Sequence, residues 1–132
     1  MIFDRKEDID LEDLKELQPA TFVLFTHAVL FCQEHNLALK ITSLKSDRKN
    51  VQSVSTTHST GRAIDISVNG WPKTLIHKFV FDTNRMYREI AAISHSDGKP
   101  RAAIYHNYKG QGEHIHLQVR ENARIPRFYS GR

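Results

Sequence analysis

Apolar residues along this chain repeat with two different periods, and each change of period marks an element. In Asp10-Leu11-Glu12-Asp13-Leu14-Lys15-Glu16-Leu17 the leucines stand three apart behind Asp10, which is placed to cap a short helix. Pro19 suits the first turn of a longer helix running to about His35. Phe22, Leu24, Phe25, Ala28, Val29, Leu30 and Phe31 are too dense for a one-sided surface helix, so burial over much of its circumference is expected. Asn36 is placed to end it in a left-handed conformation.

From Leu37 to Ser43 the period shortens to that of a strand, with Leu39 and Ile41 on one face. Residues 44–57 are polar and rich in Ser, Thr, Asn and Lys, which predicts a long loop of the kind that often carries function. Arg62 to Val68 alternates again: Ile64, Ile66 and Val68 form an apolar face, and Ala63, Asp65 and Ser67 the other. Asn69-Gly70 is a turn. Leu75, Ile76, Phe79, Val80, Met86, Tyr87, Ile90 and Ile93 then recur at helical spacing, as one long helix or two broken near Asp82. Trp71, Phe79 and Tyr87 are expected in the core.

Ser96 to Pro100 reads as a loop and Arg101 to His106 as a strand, with Ala103 and Tyr105 opposite Ala102, Ile104 and His106. After a turn at Lys109 to Gly112, a last strand from His114 to Arg120 turns Ile115, Leu117 and Val119 inward. His114, His116 and Gln118 take its other face. This order of elements predicts an α+β domain with a small, largely antiparallel sheet packed against helices.

Size and composition narrow the picture only a little. A chain of 132 residues fits one domain, with its core at about 19–120 and a basic tail at 121–132. Apolar residues at 39% and charged residues at 26% are ordinary for a globular protein, and no apolar run is long enough to span a membrane. The N-terminus lacks the apolar core of a signal peptide, so synthesis in a cytoplasm is expected. Cys32 stands alone among apolar neighbours and reads as a buried, inert thiol. The net charge of +4, weighted toward Arg120, Arg124, Arg127 and Arg132, suits a polyanion such as an anionic cell-wall polymer or nucleic acid. Nucleic acid is disfavoured by the absence of a helix-turn-helix or aromatic RNA-binding signature.

Two polar clusters carry the chemistry. Thr56-Thr57-His58-Ser59-Thr60-Gly61-Arg62-Ala63-Ile64-Asp65 sets an imidazole and a carboxylate seven positions apart, with a glycine between them. Glu113-His114-Ile115-His116 lies near the other end. An unpaired carboxylate at Asp65, flanked by Ile64 and Ile66, would be costly to bury, and a cation opposite it removes that cost. His58, Asp65 and His116 are donors of the type zinc takes, and three protein ligands leave a fourth position for water. Glu113, three residues before His116, faces away from it in a regular strand, so a bend at Gly112 is needed to bring it back as general base. His114 shares a face with His116 and either lines the site or replaces His116 as ligand. His106 is a strand residue or an orienting partner of a ligand. His27, His35, His77 and His95 have no acid at ligand spacing and read as packed or surface residues.

Thr56-x-His58-x-x-Gly61-x-Ala63-x-Asp65 resembles the Ser-x-His-x-x-Gly-x-Ala-x-Asp signature of the zinc D-Ala-D-Ala carboxypeptidase family. That family includes bacteriophage L-alanyl-D-glutamate endopeptidases and shares its fold with the Hedgehog signalling domain. Glu113-x-x-His116 is similar to its closing acid-x-x-His block, and Ile41-Thr42-Ser43 to the strand before its first block. The resemblance implies one zinc ion held by His58, Asp65 and His116, with Glu113 as the base. It also implies an oxyanion-stabilising cation after the Thr-Ser strand, where this chain offers Lys45 and Arg48. Thr56 and His114 are the candidate substrate contacts. The implied activity is hydrolysis of peptidoglycan stem-peptide amide bonds by a monomer of phage lysis or virion type, which acts on the wall after release. A zinc domain that binds cell wall without cutting it is the rival expectation.

Overall fold

A computed structural model describes residues 3–5, 9–44, 60–108 and 112–125. Lys45, Arg48, Thr56 and His58, most of the expected long loop, and the tail from 126 onward lie outside the described residues.

Strands β1 (Phe3–Arg5), β2 (Leu39–Ser43), β3 (Ala63–Ser67), β4 (Ala103–Tyr108) and β5 (Gly112–Gln118) form one sheet in the order β1-β2-β3-β5-β4. Helices α1 (Pro19–His35) and α2 (Lys73–Met86) complete an α+β fold, with short 3-10 turns at Leu11–Glu16 and Arg88–Ile90. The four longer strands pair antiparallel, and β1 joins β2 in parallel, so the sheet is mixed. Among the described residues no helix is long and apolar enough to cross a membrane.

Local chemistry accounts for the elements. Asp10 caps the first 3-10 turn by accepting from the Glu12 N–H. Pro19 opens α1, where its missing N–H has no consequence, and Asn36 at φ 54° closes it. In β3 and β5 the strand period sends Ile64, Ile66, Ile115 and Leu117 to one face, where they join Leu24, Phe31, Ile76 and Phe79 from the helices in a single core. Trp71, Phe79 and Tyr87 are buried in it, as expected. Phe31, Trp71 and Phe79 meet as a ring cluster at 5.0–5.9 Å, locking α1 against the start of α2. Cys32 is fully buried, and burial pushes its thiol up to about 12.

Some sequence expectations need correction. The apolar residues of α1 are not enclosed all round: Phe22 is 44% and Leu30 56% exposed, because the sheet and α2 cover only one side of the helix. The second helix does not break near Asp82, whose carboxylate pairs with Lys78 one turn back at 3.0 Å. It ends at Met86, and Ile93 lies beyond it in a bridge with Pro100. Strand β1 has no alternating pattern, since all three of its residues are exposed, and sequence periodicity did not reveal it. Strand β5 begins at Gly112, two residues before the expected start.

Candidate metal centre

Register places Asp65 and His116 directly opposite one another on adjacent strands, in the series Ala63 to Gln118, Ile64 to Leu117, Asp65 to His116, Ile66 to Ile115 and Ser67 to His114. The isoleucines and Leu117 fill the core, so parity turns Asp65 and His116 to the face away from the helices. An irregularity in β2 between Ile41 and Ser43 brings Ser43 opposite Asp65 from the other side. The result is a carboxylate only 5% exposed, whose Oδ1 lies 2.7 Å from His116 Nδ1.

The second ring nitrogen of His116 meets Gln118, with Nε2 3.0 Å from Oε1. Both neighbours are acceptors, and a neutral imidazole has one N–H to give. An imidazolium, which donates from both nitrogens, removes that conflict, and so would a cation shared by Asp65 and Nδ1. Two ligands at zinc's usual distances in a tetrahedral shell stand about 3.3 Å apart. The observed 2.7 Å is shorter, a direct hydrogen bond between the two side chains. Asp65 and His116 are thus two donors of the type zinc takes, held in hydrogen-bond contact with each other.

His106 and His114 extend this face. They are opposite each other on β4 and β5, with ring centres 5.1 Å apart, and His106 lies 6.4 Å from the His116 ring. Burial, and then the neighbouring His114 and His116, lower the His106 pKa against the pull of Asp65. Among the described residues no three His, Cys, Asp or Glu side chains form a group that could hold a metal ion. The structure joins two of the three expected ligands, and the third, His58, lies outside the described residues.

Gly61 accounts for the geometry of the approach to β3. Its carbonyl accepts from the Gln18 N–H and from the buried Thr21 hydroxyl, both at 2.9 Å, and the Gln18 side chain donates to Thr60 O at 3.1 Å. A Cβ at Gly61 would stand 2.2 Å from Glu16 O, and its φ is +72°. The glycine of the motif is thus where the chain entering β3 presses on the N-terminal end of α1.

Glu113 is placed differently from expectation. Gly112 has the unusual conformation (φ +74°), yet β5 is already formed there, with Glu113 opposite Asn107. Parity puts the Glu113 side chain with Ile115 and Tyr105, on the other face from His116. The Tyr105 hydroxyl donates to its Oε1 at 2.5 Å, Lys73 Nζ donates to the same oxygen, and Asn69 Oδ1 accepts its N–H at 3.1 Å. Lys73 first, then Tyr105, lower the Glu113 pKa, with burial opposing. The structure does not bring Glu113 to the Asp65–His116 pair.

Sequence reasoning missed Gln118, Lys73 and Tyr105. Gln118 was within reach, since it lies two residues after His116 on the same strand face. Lys73 and Tyr105 carried no signal, because tertiary packing alone sets them beside Glu113. Comparison of the chain with protein-family models, with curated proteins and with solved structures finds no match.

Proposed function

We propose that this protein is a zinc-dependent peptidase acting on stem-peptide amide bonds of peptidoglycan, of D-Ala-D-Ala carboxypeptidase or L-alanyl-D-glutamate endopeptidase type, in a phage lysis or virion setting. One observation carries the reading: Asp65 and His116, 51 positions apart in the chain, meet as a part-buried pair at 2.7 Å. They are the two described members of the ligand set that the motif resemblance names. Zinc bound there polarises an amide carbonyl and makes water more acidic. Asp65 and His116, with His58, hold the ion. His114 lines the same face and, with Thr56, contacts the substrate. Arg48 or Lys45 stabilises the oxyanion. For Glu113 to move the proton from water to the leaving amine, the start of β5 has to turn its side chain to the other face of the sheet and release Tyr105 and Lys73.

That last requirement favours one second reading, a zinc domain that binds cell wall without cutting it, because Glu113 is engaged on the opposite face. Zinc-loaded protein and its Glu113→Ala variant, incubated with purified peptidoglycan, separate the two when new termini are identified by mass spectrometry. Termini from the wild type alone support the peptidase. Zinc uptake with no new termini from either protein supports the binding domain. The termini also distinguish cleavage at the chain end from cleavage within it.

A further inference from the structure

The two edges of the sheet are finished differently. At one, β1 is a three-residue strand that carries Asp4 and Arg5, short and charged in the way that discourages further pairing. At the other, β4 runs for six residues. The Gln118 N–H donates to Ala102 O at 2.9 Å, which fixes the phase of the β4–β5 ladder. Ile104 and His106 therefore turn their backbone groups inward to His116 and His114, while Ala103, Tyr105 and Asn107 turn theirs outward. Asn84 takes both outward groups of Ala103. Among the described residues none bonds the outward N–H and C=O of Tyr105 and Asn107.

We infer that the outer edge of β4 at Tyr105 and Asn107 is a docking site for an extended acidic peptide, which joins the sheet as an added strand. Alternating N–H and C=O groups in line are matched by another extended backbone. The two outward residues stand about 7 Å apart along the strand, so a short segment satisfies both. Asn84 marks one end of the site, and its amide already shows the donor and acceptor that an added strand presents. The docking requires no metal and goes beyond the peptidase reading. A strand added here runs beside His106, on the sheet face that also carries His114 and His116.

Charge selects the occupant. The chain carries a net +4. His106 and His114 border the edge on one face. On the other, Lys73 and His77 lie beside Tyr105, and Lys73 offsets the Glu113 carboxylate. A second copy of the chain fits less well. Because Ala103 is taken, a two-fold pair that uses both open residues has to set Tyr105 against Asn107. That register puts the two copies of His106 directly opposite, about 4.5 Å apart at Cα. With His114 beside each, four imidazoles crowd one face between two chains of like net charge.

The test uses the full chain, labelled with nitrogen-15, and a hexapeptide of alternating valine and glutamate blocked at both ends. Titration should shift the Ile104 to Asn107 amides. Exchange at the Tyr105 and Asn107 amides should slow about tenfold, the worth of one net hydrogen bond. Asn107→Pro removes an outward N–H and leaves the β5 ladder intact, a change that edge strands tolerate. Peptide affinity should fall about tenfold in that variant. A fully N-methylated peptide should not bind, and a valine–lysine peptide should bind more weakly. Unchanged exchange at both amides, or shifts centred elsewhere on the sheet, overturns the inference. So does equal binding by folded Asn107→Pro, by the N-methylated peptide or by the lysine peptide. If Asn107→Pro does not fold, the N-methylated peptide on the wild-type chain decides. A dimer in sedimentation, with both amides protected before peptide is added, overturns it in favour of a second copy.

Discussion

Tyr105 and Glu113 sit on neighbouring strands with the phenol donating to Oε1 at 2.5 Å, and Lys73 Nζ, itself 2.7 Å from the Tyr105 oxygen, donates to that same Oε1. The carboxylate nominated as base is thereby fixed on the helix side of β5, while His116 faces the other way. Both donors favour the ionised form, so the folded pKa lies below the ordinary carboxylate value. The resulting stability is present above that ordinary value and is lost as pH falls through the folded one. Tyr105→Phe should move the Glu113 titration upward, read from its carboxyl carbon resonance. A midpoint unchanged by Tyr105→Phe would deny the contact.

The peptidase reading, in which Glu113 is the base, gives a catalytic prediction. Glu113→Gln should reduce peptidoglycan cleavage by at least about 100-fold, the usual effect of losing a general base, with zinc content unchanged. Cleavage at the wild-type rate in Glu113→Gln would assign proton transfer to another group.

Much of the fold was legible because its signals are local. The alternation of Ile64 and Ile66 with Asp65, and of Ile115 and Leu117 with His116, fixed which face each strand buries. It also predicted that Asp65 and His116 would share the polar face. Asn36 and Pro19 marked the ends of α1 without tertiary help. What remained hidden depends on distance in space. Strand β1 is held by its pairing with β2 and by the ring contact of Phe3 with Phe25 of α1. The placement of Glu113 turned on whether Gly112 bends the strand or begins it, and a positive φ at Gly112 is compatible with either.

Gly61→Ala should be strongly destabilising. The new Cβ would meet Glu16 O at 2.2 Å, a backbone atom that cannot swing aside, and the residue would be forced to hold φ +72°. Strain of this kind costs about 1–3 kcal/mol before the clash is counted. Urea unfolding should show a lower midpoint with an unchanged slope. A midpoint equal to wild type would mean that the contact between this turn and α1 is not made.

Asn84 protects the outer edge of the sheet. Its Nδ2 donates to Ala103 O and its Oδ1 accepts the Ala103 N–H, both at 2.9 Å, so the side-chain amide takes the place of a neighbouring strand. Ala103 is 1% exposed, and water does not readily replace those bonds. Asn84→Leu should cost about 1–3 kcal/mol for each backbone group left unpaired. Hydrogen exchange at the Ala103 amide should accelerate in the variant, and an unchanged rate would show that another group protects it.

His27 should make the fold sensitive to mild acid. Its ring lies 5.4 Å from that of Phe79 and 5.1 Å from that of Tyr87, with Nε2 3.1 Å from the Thr83 hydroxyl. Burial lowers its pKa from the ordinary 6.5, and the pull of Asp82 only partly offsets this. The unfolded chain therefore takes up a proton near pH 6.5 that the folded chain refuses until lower pH. Stability from this residue is complete above that value and declines as pH falls toward the folded pKa. Urea midpoints at pH 7.5 and 5.5 should differ in the wild type, and the difference should shrink in His27→Phe, which keeps the ring and removes the titrating group. An equal difference in both proteins would place the acid-sensitive group elsewhere.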